Sequence, residues 1–164
     1  MKLFEGIDHA SPYFAMLVGL PATGKSTFRS AITDQAVIIS TDDWIEEKAA
    51  WEGTTYDAVW SRDIKQAETA MRERFQQAIK DGSNIIVDRT NLTVRARRGW
   101  LAPLPKKYFK LAIVFEAPDE VVYHTRLQRA GKTIPTSVLN KMREIYVPPT
   151  HEEGFDLISY GAAQ

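Results

Sequence analysis

Gly19-Leu20-Pro21-Ala22-Thr23-Gly24-Lys25-Ser26 has the spacing glycine, four residues, glycine, lysine, serine. That is the pattern of a loop that wraps a polyphosphate. The glycines let the backbone turn so that successive N–H groups point inward, and a helix starting there aims its positive end at the same place. In this reading residues Gly19 to Ser26, with Thr27 next on the helix, cradle the phosphates of ATP. Lys25 reaches the β- and γ-phosphates, and Ser26 offers a hydroxyl ligand to Mg²⁺. The alternative is a glycine-rich turn that matches by coincidence. Its place between an apolar run and helical sequence weighs against that.

Transfer of a phosphoryl group to a hydroxyl needs an acceptor for the proton. Asp42 and Asp43 follow a second apolar run, and an aspartate with a pKa of about 4 is ionised at neutral pH and can orient a hydroxyl. Asp42 is the candidate general base, and Asp43 the candidate cap of the helix that follows; a capping role for either is the competing reading. Asp88 ends a third apolar run, where a carboxylate commonly holds the water shell of a metal or the acceptor, although an aspartate can also simply start a turn. Asp42 and Asp88 are thus both candidates to reach Mg²⁺ through water. Arg89, Thr90 and Asn91 follow as candidate acceptor contacts. Arg126, Arg129 and Lys132 stand where a lid could close cations over ATP, or where cations oppose a helix dipole. His9, His124 and His151 have no ligand spacing. The four tryptophans read mostly as core, with Trp44 or Trp51 able to stack a base beside Asp42.

The 164 residues contain no cysteine, which excludes a disulfide framework and a thiolate metal site. A length of this order predicts one domain, with residues 1–12 as an N-terminal extension. No apolar run could span a bilayer, and the first residues lack a secretory pattern, so the expectation is a cytoplasmic protein with no membrane partner. Lys plus Arg equals Asp plus Glu at 21 each, so no global field draws the chain to nucleic acid. The distribution is uneven. Between Asp88 and Glu116 lie seven basic residues and no acidic one, whereas Asp42 to Asp57 holds six carboxylates and one lysine. The basic run reads either as a solvated helix face or as a polyanion contact.

These groups need elements that bring them together. Residues 13–18, 36–40, 84–88 and 110–115 are β-branched-rich runs of the buried parallel type, and helical sequence separates them. Tyr56, Trp60, Ile64, Ala67, Met71, Phe75 and Ala78 recur at three or four, predicting a long helix capped by Thr54 with Asp57 and stopped by Gly82. Pro118 and Pro135 precede two further helices, and residues 155–160 suit a last strand. The fold class is α/β: a P-loop NTPase-type parallel sheet with helices on both faces and a helical lid over residues 126–135. Ligands then sit at the carboxyl ends of the strands.

The order of these motifs resembles the polynucleotide 5'-hydroxyl kinase family of phages and animals. The shared blocks are the phosphate loop, Asp42-Asp43-Trp44, Ile85 to Asn91, Arg126-Leu127-Gln128-Arg129 and Ile134-Pro135, with a tail from Tyr146 to Phe155 similar to the aromatic-x-x-P-T-x-x-E-G-F segment of animal members. The resemblance implies that Asp42 activates a 5'-hydroxyl, that Asp88 and Thr90 help the acceptor site, and that Arg126 and Arg129 form the lid. It departs at Thr41 and Ile45, where phage members carry arginine. Arg89, or the Arg95, Arg97, Arg98 cluster, is the expected replacement. No D-x-D-x-T phosphatase signature occurs.

The first functional expectation is therefore phosphorylation of the 5'-hydroxyl of DNA or RNA by ATP and Mg²⁺. The rivals are a kinase for a small molecule or nucleotide sugar, and an ATP-binding regulatory module without an acceptor. Preference for DNA or RNA and oligomeric state leave no signature in the residues.

Overall fold

In the computed structural model the described residues are 3, 11–128 and 133–161. Five strands form one parallel sheet in the order β2-β3-β1-β4-β5: β1 Tyr13–Val18, β2 Val37–Ile39, β3 Ile85–Asp88, β4 Phe109–Phe115 and β5 Leu157–Gly161. Six helices connect them: α1 Lys25–Ser30, α2 Thr41–Glu52, α3 Tyr56–Asp81, α4 Val94–Leu101, α5 Glu120–Leu127 and α6 Thr136–Ile145. No helix among the described residues is long and apolar enough to cross a membrane.

β1 lies in the middle of the sheet and is buried at every residue, so its sequence is apolar throughout instead of alternating. Its period of two still decides which face each side chain serves. Phe14, Met16 and Val18 join Met71, Phe75 and Ala78 of α3 and Trp100 and Leu101 of α4 in one core. Tyr13, Ala15 and Leu17 join Ile113 and Phe115 of β4 on the other face, with Phe28 of α1 packed against them. The β2 run is half-buried at Val37 and Ile38. It was expected to be fully buried, but β2 is an edge strand with a neighbour on one side only.

The long helix starts one residue later than its predicted cap. Thr55, not Thr54, accepts from the Ala58 N–H, and Gly82 ends the helix at φ 65°, a left-handed conformation that costs glycine little. The apolar stripe also differs in its first turns. Val59 is buried while Trp60 is 42% exposed, because a separate small core of Ile45, Ala49, Val59 and Ala67 forms where α2 crosses α3. Of the four tryptophans only Trp100 is core; Trp51 is 85% exposed.

The tail closes over the acid-free basic segment through one side chain. Arg97 is 0% exposed. Its Nε and Nη2 donate to the two oxygens of Glu153 at 2.8 and 2.7 Å, and its Nη1 donates to the carbonyls of Asn91 and Val147 at 3.0 and 2.8 Å. The expectation that Arg97 grips an acceptor is thereby corrected: its donors are spent inside the protein. Arg95 and Arg98, on the outer face of the same helix, are exposed.

Burial pushes the Glu153 carboxyl up, but hydrogen bonds from Arg97 and the Thr150 N–H outweigh it and hold the group below its usual range. A depressed carboxylate adds stability above its unfolded value and loses it as pH falls through the folded one. Removing one partner of a buried pair costs roughly 3–5 kcal/mol. Urea unfolding of Glu153→Gln at pH 7 should show a loss of that order, and the gap to the parent protein should narrow as pH falls below about 4.

Candidate functional site

The carboxyl ends of β2, β3 and β1 bring the predicted residues to one rim. Parallel register sets Leu17 of β1 opposite Asp88 of β3, so the phosphate loop, which leaves β1 at Val18, begins one residue beyond the aspartate. The Gly19 N–H donates to the Thr90 carbonyl at 3.0 Å. A Cβ on Gly19 would stand 2.6 Å from the Phe115 carbonyl oxygen, so no side chain fits there. Gly24 has φ 99° and Ala22 φ 60°, left-handed values at which only glycine is unstrained. Strain of this kind clusters at ligand clamps.

Lys25 is buried, and its Nζ donates to the Gly19 and Leu20 carbonyls at 2.9 and 2.5 Å, inside the curve of the loop. Thr23 Oγ1 donates to the Leu20 carbonyl at 2.8 Å and fixes the loop from within. Ser26 and Thr27 are exposed at the start of α1. Leu20 and Pro21 are half-buried in the loop.

Asp42 and Asp43 occupy the first turn of α2. The cap of that helix is Ser40, whose side chain accepts from the Asp43 N–H at 3.2 Å. This corrects the expected cap by three residues and leaves both carboxylates for other work. The Asp43 carboxylate meets Arg29 of α1, with Nη1 at 2.9 Å and Nη2 at 3.2 Å. The same Nη1 lies 3.0 Å from Oδ2 of Asp88, whose side chain is only 8% exposed. Asp42 takes a different partner: its Oδ1 accepts from the Tyr56 hydroxyl at 2.6 Å.

Burial raises the Asp88 pKa; Arg29 and then Lys25 pull it back, and the Asp43 and Asp42 charges push it up again. Lysine, arginine and three carboxylates therefore share one electrostatic site. Among the described residues no three acidic, histidine or cysteine side chains form a metal cage. Mg²⁺ keeps several waters and takes few protein ligands besides substrate phosphates. Ser26 would hold it directly, with Asp42 and Asp88 reaching it through water.

Other expected residues separate. Arg89 pairs with Glu68 of α3 and lies 5.9 Å from the centre of the Trp100 ring. Asn91 is buried at φ 49°, and its Nδ2 donates to the Leu17 carbonyl at 2.8 Å; it ties β3 to β1 and does not face outward. Thr90 is half-buried beside the loop. Arg126 lies half-buried in the last turn of α5, while Arg129 and Lys132 fall outside the described residues. Beyond them, the Thr133 N–H donates to both Asp57 oxygens at 3.2 and 3.1 Å, which fastens the far end of the expected lid to the first turn of α3.

Arg29 and Tyr56 were not anticipated. Arg29 had a readable signal: it lies four residues after Lys25, one helical turn along the face that looks at the rim. Tyr56 was counted as core.

A carboxylate whose folded pKa is raised contributes stability below its unfolded value of 3.8, and that contribution is lost as pH rises through the folded value. Asp88→Asn carries no charge to desolvate. Its melting temperature should therefore equal or exceed that of the parent at pH 7, with the advantage shrinking towards pH 4, as a pH series of thermal melts will read.

Comparison with known proteins places the chain among P-loop kinases. The chain is 23% identical over 157 residues to the bifunctional polynucleotide phosphatase/kinase of Schizosaccharomyces pombe, covering 93% of this chain and 33% of that protein. It thus spans about a third of that relative's length. A chain of the Pnkp1/Rnl/Hen1 RNA repair complex superposes with a TM-score of 0.62 at 25% identity, over 85% of this chain and 45% of that one. A putative kinase from Chloroflexus aurantiacus superposes with a TM-score of 0.64 at 18% identity, over 94% and 86%; at that identity the likeness is one of fold. Over residues 14–149 the sequence matches the family described as AAA domain, AAA_33, and the chain belongs to that family as a P-loop kinase domain.

Proposed function

We propose that this chain transfers the γ-phosphoryl group of ATP to the 5'-hydroxyl end of DNA or RNA, with Asp42 as the general base. The observation that carries the reading is the gathering of Lys25, Asp42 and Asp88 at one strand rim, beside a loop shaped for polyphosphate. The similarity over 93% of the chain to a polynucleotide phosphatase/kinase supports the acceptor class. The two blocks most particular to that resemblance, Asp88 to Asn91 and Tyr146 to Phe155, are also the two that Arg97 joins.

The chemistry follows from positions. Loop N–H groups and Lys25 hold the β- and γ-phosphates. Bound Mg²⁺ would offset charge on the phosphate oxygens during transfer. The Asp42 carboxylate accepts the proton of the attacking hydroxyl, whose oxygen forms the new P–O bond as the bond to ADP breaks. Asp88, held by Arg29, faces the same space as a second anion that orients water or acceptor. Arg126 and Arg129 are assigned to the lid.

A second reading has its own support. With Arg97 buried and Arg89 paired to Glu68, only Arg95 and Arg98 of the expected acceptor cluster stand exposed. The charges of Asp42, Glu46 and Asp57 all act on the Tyr56 phenol beside the base. Such a rim suits a small hydroxylated metabolite better than a polyanion.

One assay separates the two. The protein is incubated with γ-labelled ATP and Mg²⁺ together with a 5'-hydroxyl oligonucleotide, its 5'-phosphorylated twin, or gluconate as a small polyol. Label on the 5'-hydroxyl oligonucleotide alone is the expected result; label on gluconate alone favours the second reading. Asp42→Asn should lower turnover about 10²- to 10⁴-fold with ATP affinity retained, and an unchanged rate would remove Asp42 from the reaction.

A further inference from the structure

We infer that Tyr56 is a positioning residue for Asp42, orienting the carboxylate that takes the acceptor's proton; the inference rests on the reading of Asp42 as the base. The contact is between the Tyr56 hydroxyl and Oδ1 of Asp42 at 2.6 Å, the length of a charge-assisted O–H···O⁻ bond. An ionised carboxylate can only accept, so the direction of this bond is fixed. Burial, reinforced by the bond to Asp42 and the nearby charges of Glu46 and Asp57, keeps the Tyr56 phenol far above its ordinary range. It is therefore a permanent donor at any pH where the base is ionised.

The geometry suits orientation better than general stability. Asp42 is exposed at the start of α2, where an unheld carboxylate rotates between many orientations. Its carboxylate offers about four lone-pair directions. The phenol occupies one of them and fixes the carboxylate's orientation about that bond. The phenol itself is held. Tyr56 is the first residue of α3 after the cap Thr55, and its ring stacks on Trp60 at 5.9 Å and 24°. The next residue, Asp57, holds the Thr133 N–H, so a single helical turn carries both the donor to the base and the anchor for the chain that follows the lid segment. Preorganised orientation of this kind is worth rate because it is settled before the transition state.

The test is Tyr56→Phe, which keeps the ring and its contact with Trp60 and deletes only the hydroxyl. The acceptor is whichever of the oligonucleotide and gluconate takes label in the assay above. The expected result is a fall in kcat of about 10- to 100-fold, with KM for ATP within about twofold and an unchanged melting temperature. In an Asp42→Asn background, single-turnover measurements should show that Tyr56→Phe costs less than about twofold, because a positioning residue has nothing left to position. A merely structural tyrosine would cost the same in both backgrounds. If Asp42→Asn abolishes turnover while Tyr56→Phe leaves kcat intact, this inference falls and the function stands. Should Asp42→Asn be without effect, or should neither acceptor take label, the assignment of the base falls and this inference with it.

Discussion

Where β1 ends, a fully buried strand must turn into a loop without stranding its polar backbone, and the rest of the molecule is arranged around that demand. Each buried N–H and C=O needs a partner. The Leu17 carbonyl finds the Asn91 amide, and the Gly19 N–H finds the Thr90 carbonyl. The carbonyls of Gly19 and Leu20 find Lys25. The Asn91 carbonyl is held by Arg97, and Arg97 by Glu153. A continuous set of bonds thus runs from the phosphate loop to the C-terminal tail. The tail's distance in sequence from the loop is no measure of its distance in energy: loosening Glu153 loosens the support of Asn91, and through it the carbonyl two residues before the loop.

Charge is handled in the same way, by sharing and not by simple pairing. Arg29 stands between Asp43 and Asp88, so one cation serves two carboxylates from the ends of two strands. Burial still raises Asp88, which means that Arg29 and Lys25 do not fully offset the desolvation. A group kept under that tension is costly for stability and is retained at functional sites more often than elsewhere. The outer α2–α3 surface shows the opposite economy. Lys48 and Arg62 pair with Glu52 and Asp63 at exposed or half-exposed positions, where each pair contributes little.

The parts of this arrangement that were legible in the residues are those set by local rules. The loop spacing, the four β-branched runs, the helix stop at Gly82 and the helices after Pro118 and Pro135 each depend on a few neighbouring residues, and the structure has all of them. What was not legible depends on the third dimension. Nothing in the string Arg95-Ala96-Arg97-Arg98 says that its third member is the buried one; that follows from which face of α4 meets the tail. The caps at Ser40 and Thr55 lie elsewhere than expected because several residue types in each stretch could cap; the end of β2 selects Ser40, and the turn at Gly53 that ends α2 selects Thr55. Trp60 reads as core because an apolar residue at helical spacing normally is, whereas the face of α3 that meets α2 presents Val59 and leaves Trp60 on the exposed side, stacked on Tyr56.

That small core has a further consequence for the base. Ile45, Ala49, Val59 and Ala67 form a cluster distinct from the two that cover the sheet, so the α2–α3 corner packs on its own interior, with Trp44 the side chain common to both. Asp42 sits at the junction. Its neighbour Asp43 is bonded through its N–H to the Ser40 cap at the end of β2, while the Asp42 carboxylate belongs to the corner, through Tyr56. The Asp42 carboxylate is therefore tied to the corner, whereas Asp88 and Lys25 are fixed to β3 and the phosphate loop. The turn that carries Tyr56 also holds the Thr133 N–H through Asp57, so the chain from residue 133 onward shares that support.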